Sequence, residues 1–294
     1  MMVERFLEYM RYERNKSPRT VQEYRDDLRM FESFCKNRDN QISWESVDSD
    51  LIRDWIESMM DRGHAATSVN RRLSALRSFF RWALSRKLVV KDPAHAIVGP
   101  KKNKPLPVFV KEQDMNRLLD NGEMWDESFQ SLRARTLIIL LYQTGIRVSE
   151  LTSMDTTSVS LNERYIKVRG KGNKERVVPF GSELKADLEN YLKQRSNLIG
   201  KDDGPLFISD KCLRMSTDQV RKIVKDNLAK VTTQKKRSPH VLRHSFATAM
   251  LNNGAGIESV KKLLGHAKVA TTEIYTHTTF EQLKRIYKQA HPRA

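Results

Sequence analysis

The chain has 294 residues and only two cysteines, Cys35 and Cys212. They lie far apart and show no metal-ligand spacing, which excludes a disulfide framework and a zinc site and points to a reducing compartment. Long apolar runs are also missing. The longest, Leu137 to Tyr142, is far short of a membrane span, and charges begin within the first residues, so the reading is of a soluble cytoplasmic protein with no membrane partner. Acidic residues are the third shortage: Lys+Arg number 53 against 36 Asp+Glu, a formal charge of +17. Solubility needs far less, so a polyanion is the expected partner. The length fits two domains.

What is present is mostly helical periodicity. Ser17-Pro18 reads as an N-cap with proline at the first helical position, and Val21, Tyr24, Leu28, Phe31 and Cys35 follow at steps of three and four. Phe6, Tyr9 and Met10 mark a shorter helix before it. Leu51 to Met59 mark one after it that ends near Gly63. A fourth runs from Ser68 to Lys87, where Val69, Leu73, Leu76, Phe80, Ala83 and Leu84 form the apolar stripe. Arg71, Arg72, Arg77, Arg81 and Arg86 fall mostly off that stripe, placed either to line a DNA backbone or simply to face water. At its start Thr67, Ser68 and Asn70 are short polar groups suited to phosphate contacts or to capping. The sequence thus predicts a helical domain over 1–98 and a tether over 99–107, where three prolines and three lysines in nine residues cannot continue a helix. A second domain is expected over 108–294.

In that second part Leu132 to Tyr142 reads as a buried helix stopped by Thr144-Gly145. Arg147 then enters a new helix, with Glu150 three residues on to hold its guanidinium. The period changes to two at Tyr165–Arg169 and Glu175–Phe180, a predicted hairpin whose turn carries Lys171 and Lys174. A lysine at such a tip can reach into a groove and protonate a leaving oxygen, or be an ordinary solvated turn. Helices follow at about Ser182–Arg195 and Ser216–Val231. The basic run Lys235-Lys236-Arg237 leads directly into Ser238-Pro239-His240-Val241-Leu242-Arg243-His244. His240 and Arg243, three apart on a helical pattern, can leave it on one side and make a donor site for an anion. Tyr275, nine residues after His266, is the best candidate for a nucleophile in the C-terminal part. His240-Val241-Leu242-Arg243-His244 lacks the glutamate of a zinc-protease helix, so a metal site is not expected.

Thr144-Gly145-Ile146-Arg147-Val148-Ser149-Glu150-Leu151, Gly170-Lys171-Gly172-Asn173-Lys174-Glu175-Arg176, His240-Val241-Leu242-Arg243-His244, Leu263-Leu264-Gly265-His266 and Tyr275-Thr276-His277, in this order, resemble the tyrosine recombinases, or phage integrase family. The absence of a further N-terminal arm-binding domain, and the ending Gln289-Ala290-His291-Pro292-Arg293-Ala294, make the likeness nearest to the Xer recombinases.

The resemblance implies a mainly α fold. A four-helix, SAM-like core-binding domain joins an α+β catalytic domain with a small antiparallel sheet, and together they form a C-shaped DNA clamp. It implies that Tyr275 attacks a scissile phosphate to give a 3′-phosphotyrosyl bond, with His240 accepting its proton and Lys171 protonating the departing 5′-oxygen. Arg147 and Arg243 would bind the non-bridging oxygens, His266 would hydrogen-bond the phosphate, and Glu150 and His244 would support them. Thr67, Ser68, Asn70, Arg71, Arg72, Arg77, Lys174, Lys235, Lys236 and Arg237 are the expected DNA contacts. No cofactor, metal or ATP is implied.

The expected partner is double-stranded DNA carrying a short inverted-repeat site. Two sites would be held by a homo- or hetero-tetramer that works through a Holliday junction, with a partner recombinase and a division-linked translocase as further candidates. In that family the C-terminal helix, with its stripe of Phe280, Leu283, Ile286 and Tyr287, reaches a neighbouring protomer. Alternative functions are integration or excision of a mobile element, a type IB topoisomerase acting alone, or a DNA-binding protein whose site is idle.

Overall fold

The computed structural model describes residues 2–102, 107–170, 175–200, 203–265 and 277–294, the first three of the last segment as backbone only. Its backbone separates into two compact units, Met1–Pro105 and Leu106–Ala294.

The first unit is built from α1 (Met2–Glu8), prolonged by a π-helical stretch over Tyr9–Glu13, then α2 (Pro18–Arg38), α3 (Ser49–Asp61) and α4 (Ala66–Ser85). Each start has a local cause. The Ser17 hydroxyl accepts from the Thr20 N–H ahead of Pro18, and the Asp48 carboxylate accepts from the Leu51 N–H. Helix α4 ends in a Schellman arrangement. The Leu88 N–H reaches the Ala83 carbonyl and the Lys87 N–H that of Leu84, with Lys87 itself at φ 56° where a glycine would be usual. Phe6, Phe31, Trp55, Phe79, Phe80 and Trp82 interlock in the core; Phe31 and Trp55 meet edge to face at 5.0 Å.

The second unit is mixed. Helix α6 (Phe129–Thr144) is buried all round from Thr136 to Thr144, with α8 (Ser182–Ile199) and α10 (Pro239–Asn252) packed on it. Around them lie α5 (Glu112–Asp120), α7 (Val148–Ser153), α9 (Thr217–Ala229), α11 (Ile257–Leu264) and α12 (His277–Ala290). Strands β1 (Val159–Ser160), β2 (Tyr165–Arg169) and β3 (Glu175–Pro179) form an antiparallel sheet in that order. Ile166 faces Val178 and Val168 faces Arg176, which sets an arginine on the buried side of the pleat.

Helix α12 lies on its own unit, where Leu283, Tyr287 and Ala290 are buried. The Tyr287 hydroxyl lies 3.3 Å from Gln143 Oε1, and Arg293 beyond the helix is ion-paired with Glu183 and Asp120. The stripe finds its apolar partner within the chain, and the tail that follows is tied down by charge.

Candidate active site

The site forms where α6 stops. Gly145, at φ 59°, ends that helix and turns the chain sharply. A Cβ there would stand 2.5 Å from Phe246 and 2.8 Å from Leu264, so both backbone freedom and close approach call for glycine. The turn places Arg147 at the entry of α7. The Glu150 carboxylate reaches back to the Arg147 backbone N–H at 2.7 Å and accepts from its guanidinium at 3.0 Å. About a third of the Arg147 side chain remains exposed.

Arg243 comes to the same place from α10, 96 residues away in sequence, and is nearly buried. Its two terminal nitrogens donate at 2.7 Å to the carbonyls of Gly145 and Leu264. The second of these belongs to the C-terminal turn of α11, where helical carbonyls have no intrahelical partner and carry partial negative charge. Burial, then the charge of Arg147, lowers the Arg243 pKa to about 10, so it stays cationic at neutral pH.

His240 lies one turn before Arg243, on the exposed side of α10, with His244 exposed one turn after His240. Desolvation and the charges of Arg243, His244, Arg221 and Arg147 hold the imidazole pKa below its ordinary value. At neutral pH the ring is therefore uncharged and able to take a proton.

Arg176 belongs to the site and escaped the sequence reading. From the buried face of β3 its fork meets both oxygens of Glu150 at 2.9 Å, while its Nε donates at 2.9 Å to the Leu263 carbonyl. Burial pushes the Glu150 carboxyl up, but the hydrogen bonds and charge of Arg176, with Arg147 behind them, outweigh it and hold the pKa below normal. Three guanidinium groups thus face three consecutive carbonyls: Arg176 to Leu263, Arg243 to Leu264 and, at a longer 3.5 Å, Arg147 to Gly265. The alternation of β3 was the signal available: an arginine on the same strand face as Val178 needs a buried acid, and Glu150 is that acid.

Lys171, Lys174, His266 and Tyr275 lie outside the described residues. The basic run before α10 does not: Lys235 and Lys236 are exposed and Arg237 is half-buried. In the first unit, Thr67 is exposed and Ser68 half-buried on the opening turn of α4, whose cap residue Ala65 offers no side-chain hydrogen bond. Other residues there are spent internally. Asn70 donates to the carbonyls of Ala66 and Pro100, Arg77 to those of Ala94 and Ile97, and Arg71 pairs at 2.5 Å with buried Asp27, near which Arg72 also lies.

An exposed imidazole beside two guanidinium groups is suited to holding an anion and moving a proton, in a two-unit, mainly helical chain. The chain belongs to the phage integrase family: that family matches residues 108–282, and the phage integrase N-terminal SAM-like domain matches residues 3–87. It is 37% identical to the tyrosine recombinase XerC of Pelotomaculum thermopropionicum, covering 99% of this chain and 98% of that protein. It is 35% identical to the tyrosine recombinase XerD of Oceanobacillus iheyensis, with coverage of 99% and 98%. The Tn1549 transposon integrase, solved in complex with circular intermediate DNA, shares the fold at 18% identity, with a TM-score of 0.71 over 96% of this chain and 98% of that one. The protein is a site-specific tyrosine recombinase of the Xer type, a DNA strand-transfer enzyme.

Proposed function

We propose that Tyr275 is the nucleophile and that the cluster around Arg147 and Arg243 receives the scissile phosphate. The phenol oxygen bonds to phosphorus and the bond to the 5′-oxygen breaks, leaving a 3′-phosphotyrosyl link and a free 5′-hydroxyl. His240 accepts the phenol proton, and Lys171 returns a proton to the leaving oxygen. Arg147 and Arg243 meet the non-bridging oxygens, each such donor being worth about 3 kcal/mol in the transition state. His266 adds a hydrogen bond, while Glu150 and His244 steady the donors. One ester is exchanged for another, so the bond energy is kept and no ATP is consumed. Guanidinium and ammonium groups supply the charge that metal ions supply in other phosphoryl transfers.

The observation that carries this reading is the convergence of Arg147 and Arg243, from helices far apart in sequence, beside an imidazole whose pKa is held below its ordinary value by desolvation and then by neighbouring positive charge. DNA backbone contacts are assigned to Thr67, Ser68 and the half-exposed Arg71 in one unit, where Asn70, Arg72 and Arg77 are engaged within the unit, and to Lys174, Lys235, Lys236 and Arg237 in the other. Four protomers, of one or two kinds, hold two inverted-repeat sites and exchange strands through a Holliday junction. The biological role is resolution of chromosome dimers, with a division-linked translocase as activator.

The test is a nicked suicide substrate, from which the short fragment bearing the new 5′-hydroxyl diffuses away. The wild-type protein accumulates a covalent DNA adduct and Tyr275→Phe, binding equally, forms none. A wild-type protein that binds DNA without ever forming the adduct overturns the reading. Mapping trapped adducts across the host chromosome tests the role: a single site near the replication terminus is expected, and adducts confined to the ends of a mobile element would replace dimer resolution with integration or excision.

A further inference from the structure

The buried salt bridge beneath Arg147 has more in it than support requires. Glu150 is 5% exposed, and a carboxylate that far from water must have its lone pairs filled by protein donors. It has four: the Arg147 backbone N–H, one terminal nitrogen of Arg147, and both terminal nitrogens of Arg176. Arg176, 6% exposed, thus occupies the two-pronged seat on Glu150 and leaves Arg147 a single-pronged one. The consequence for Arg147 is direct. One terminal nitrogen is engaged by Glu150, the other, among the described residues, makes the long contact to the Gly265 carbonyl, and the guanidinium stays partly open.

Resting on the function proposed above, we infer that Arg176 is a positioning residue for strand cleavage: by holding Glu150 bidentately it keeps the acid from capturing Arg147, which stays free for the phosphate. Its third donor extends the same control to the backbone. Through Leu263 it fixes the end of α11, the point from which the chain leaves toward His266 and Tyr275. Gly265, at φ 65°, permits the approach, since a Cβ there would lie 3.0 Å from the Arg176 guanidinium.

Arg176→Met gives Glu150 two vacant lone pairs, which Arg147 would turn inward to fill. Arg176→Lys keeps the charge but offers no fork. The experiment measures DNA affinity by mobility shift and the rate of Tyr275 adduct formation on the suicide substrate, with either an ordinary phosphate or a methylphosphonate at the scissile position. A misplacement of about 1 Å costs roughly 100-fold in rate. Arg176→Met should therefore bind within about threefold of wild type and cleave about 100-fold more slowly, with Arg176→Lys between the two. The deficit should shrink on the methylphosphonate, which has lost one of the charged oxygens Arg147 would meet. Adding Glu150→Gln to Arg176→Met should recover part of the rate, because a neutral amide holds Arg147 less tightly.

Should Arg176→Met fail to fold, Arg176→Lys and its methylphosphonate comparison decide alone. Cleavage at wild-type rate by a folded variant, or an equal deficit on both substrates, overturns the inference while leaving the nucleophile assignment intact. A wild-type protein that forms no adduct removes the assignment itself.

Discussion

His291 lies among the rings of Phe246, Tyr287 and Tyr142, just past the end of α12. The Arg293 backbone N–H donates to its Nδ1 at 3.1 Å, which leaves Nε2 as the protonated nitrogen, 3.3 Å from the Tyr142 carbonyl. Burial lowers its pKa from 6.5 to about 4. The unfolded chain therefore takes up a proton as pH falls through 6.5, whereas the folded chain refuses it until about 4, so stability is lost with acid across that window. A shift of this size is worth about 3 kcal/mol. Burial raises the Asp187 carboxyl, which works in the opposite sense, so the comparison needed is between variants rather than within one curve. His291→Gln keeps a donor and an acceptor but does not titrate. Urea unfolding midpoints of wild type and variant, measured from about pH 7 to about pH 4, should converge as the pH falls.

Helix α4 shows how an element divides its charges. Most of its apolar stripe followed directly from residue spacing: Val69, Leu73, Leu76, Phe80 and Ala83 are buried, while Leu84 in the last turn is exposed. Its arginines were not separable in the same way. Periodicity tells which face a side chain leaves, but a long arginine can fold back over its own unit. Arg77 does so, donating to the carbonyls of Ala94 and Ile97 and so fastening the segment beyond the helix. Arg77→Met should leave two carbonyls without their donor and destabilise the first unit by about 1 to 3 kcal/mol. If Arg77 acts only in this way, thermal melting registers the loss while the salt dependence of DNA affinity, taken at a temperature where the variant is folded, keeps its slope. A slope reduced by about one would instead make Arg77 a phosphate contact.

For the whole molecule, the excess of 53 basic over 36 acidic residues is the largest single term in its encounter with DNA. Neutralising 6 to 10 phosphates implies that affinity falls by roughly a thousandfold or more between about 50 and about 200 mM salt. Binding titrations over that range should show it, and adduct formation at fixed occupancy should be unchanged by EDTA; loss of cleavage with chelator would mean that a metal ion shares the work of the arginines. The sequence alone carried the helical first unit, the hairpin, the identity of Arg147, Glu150, His240 and Arg243, and the family, because periodicity, capping residues and short ordered motifs are local. It could not say that Arg176 meets Glu150 with both prongs, that three guanidiniums meet the end of α11, or that α12 buries Leu283 and Tyr287 in its own unit. Those facts depend on which long-range partner fills each buried lone pair and apolar stripe, and that is decided only when distant elements pack and exclude water.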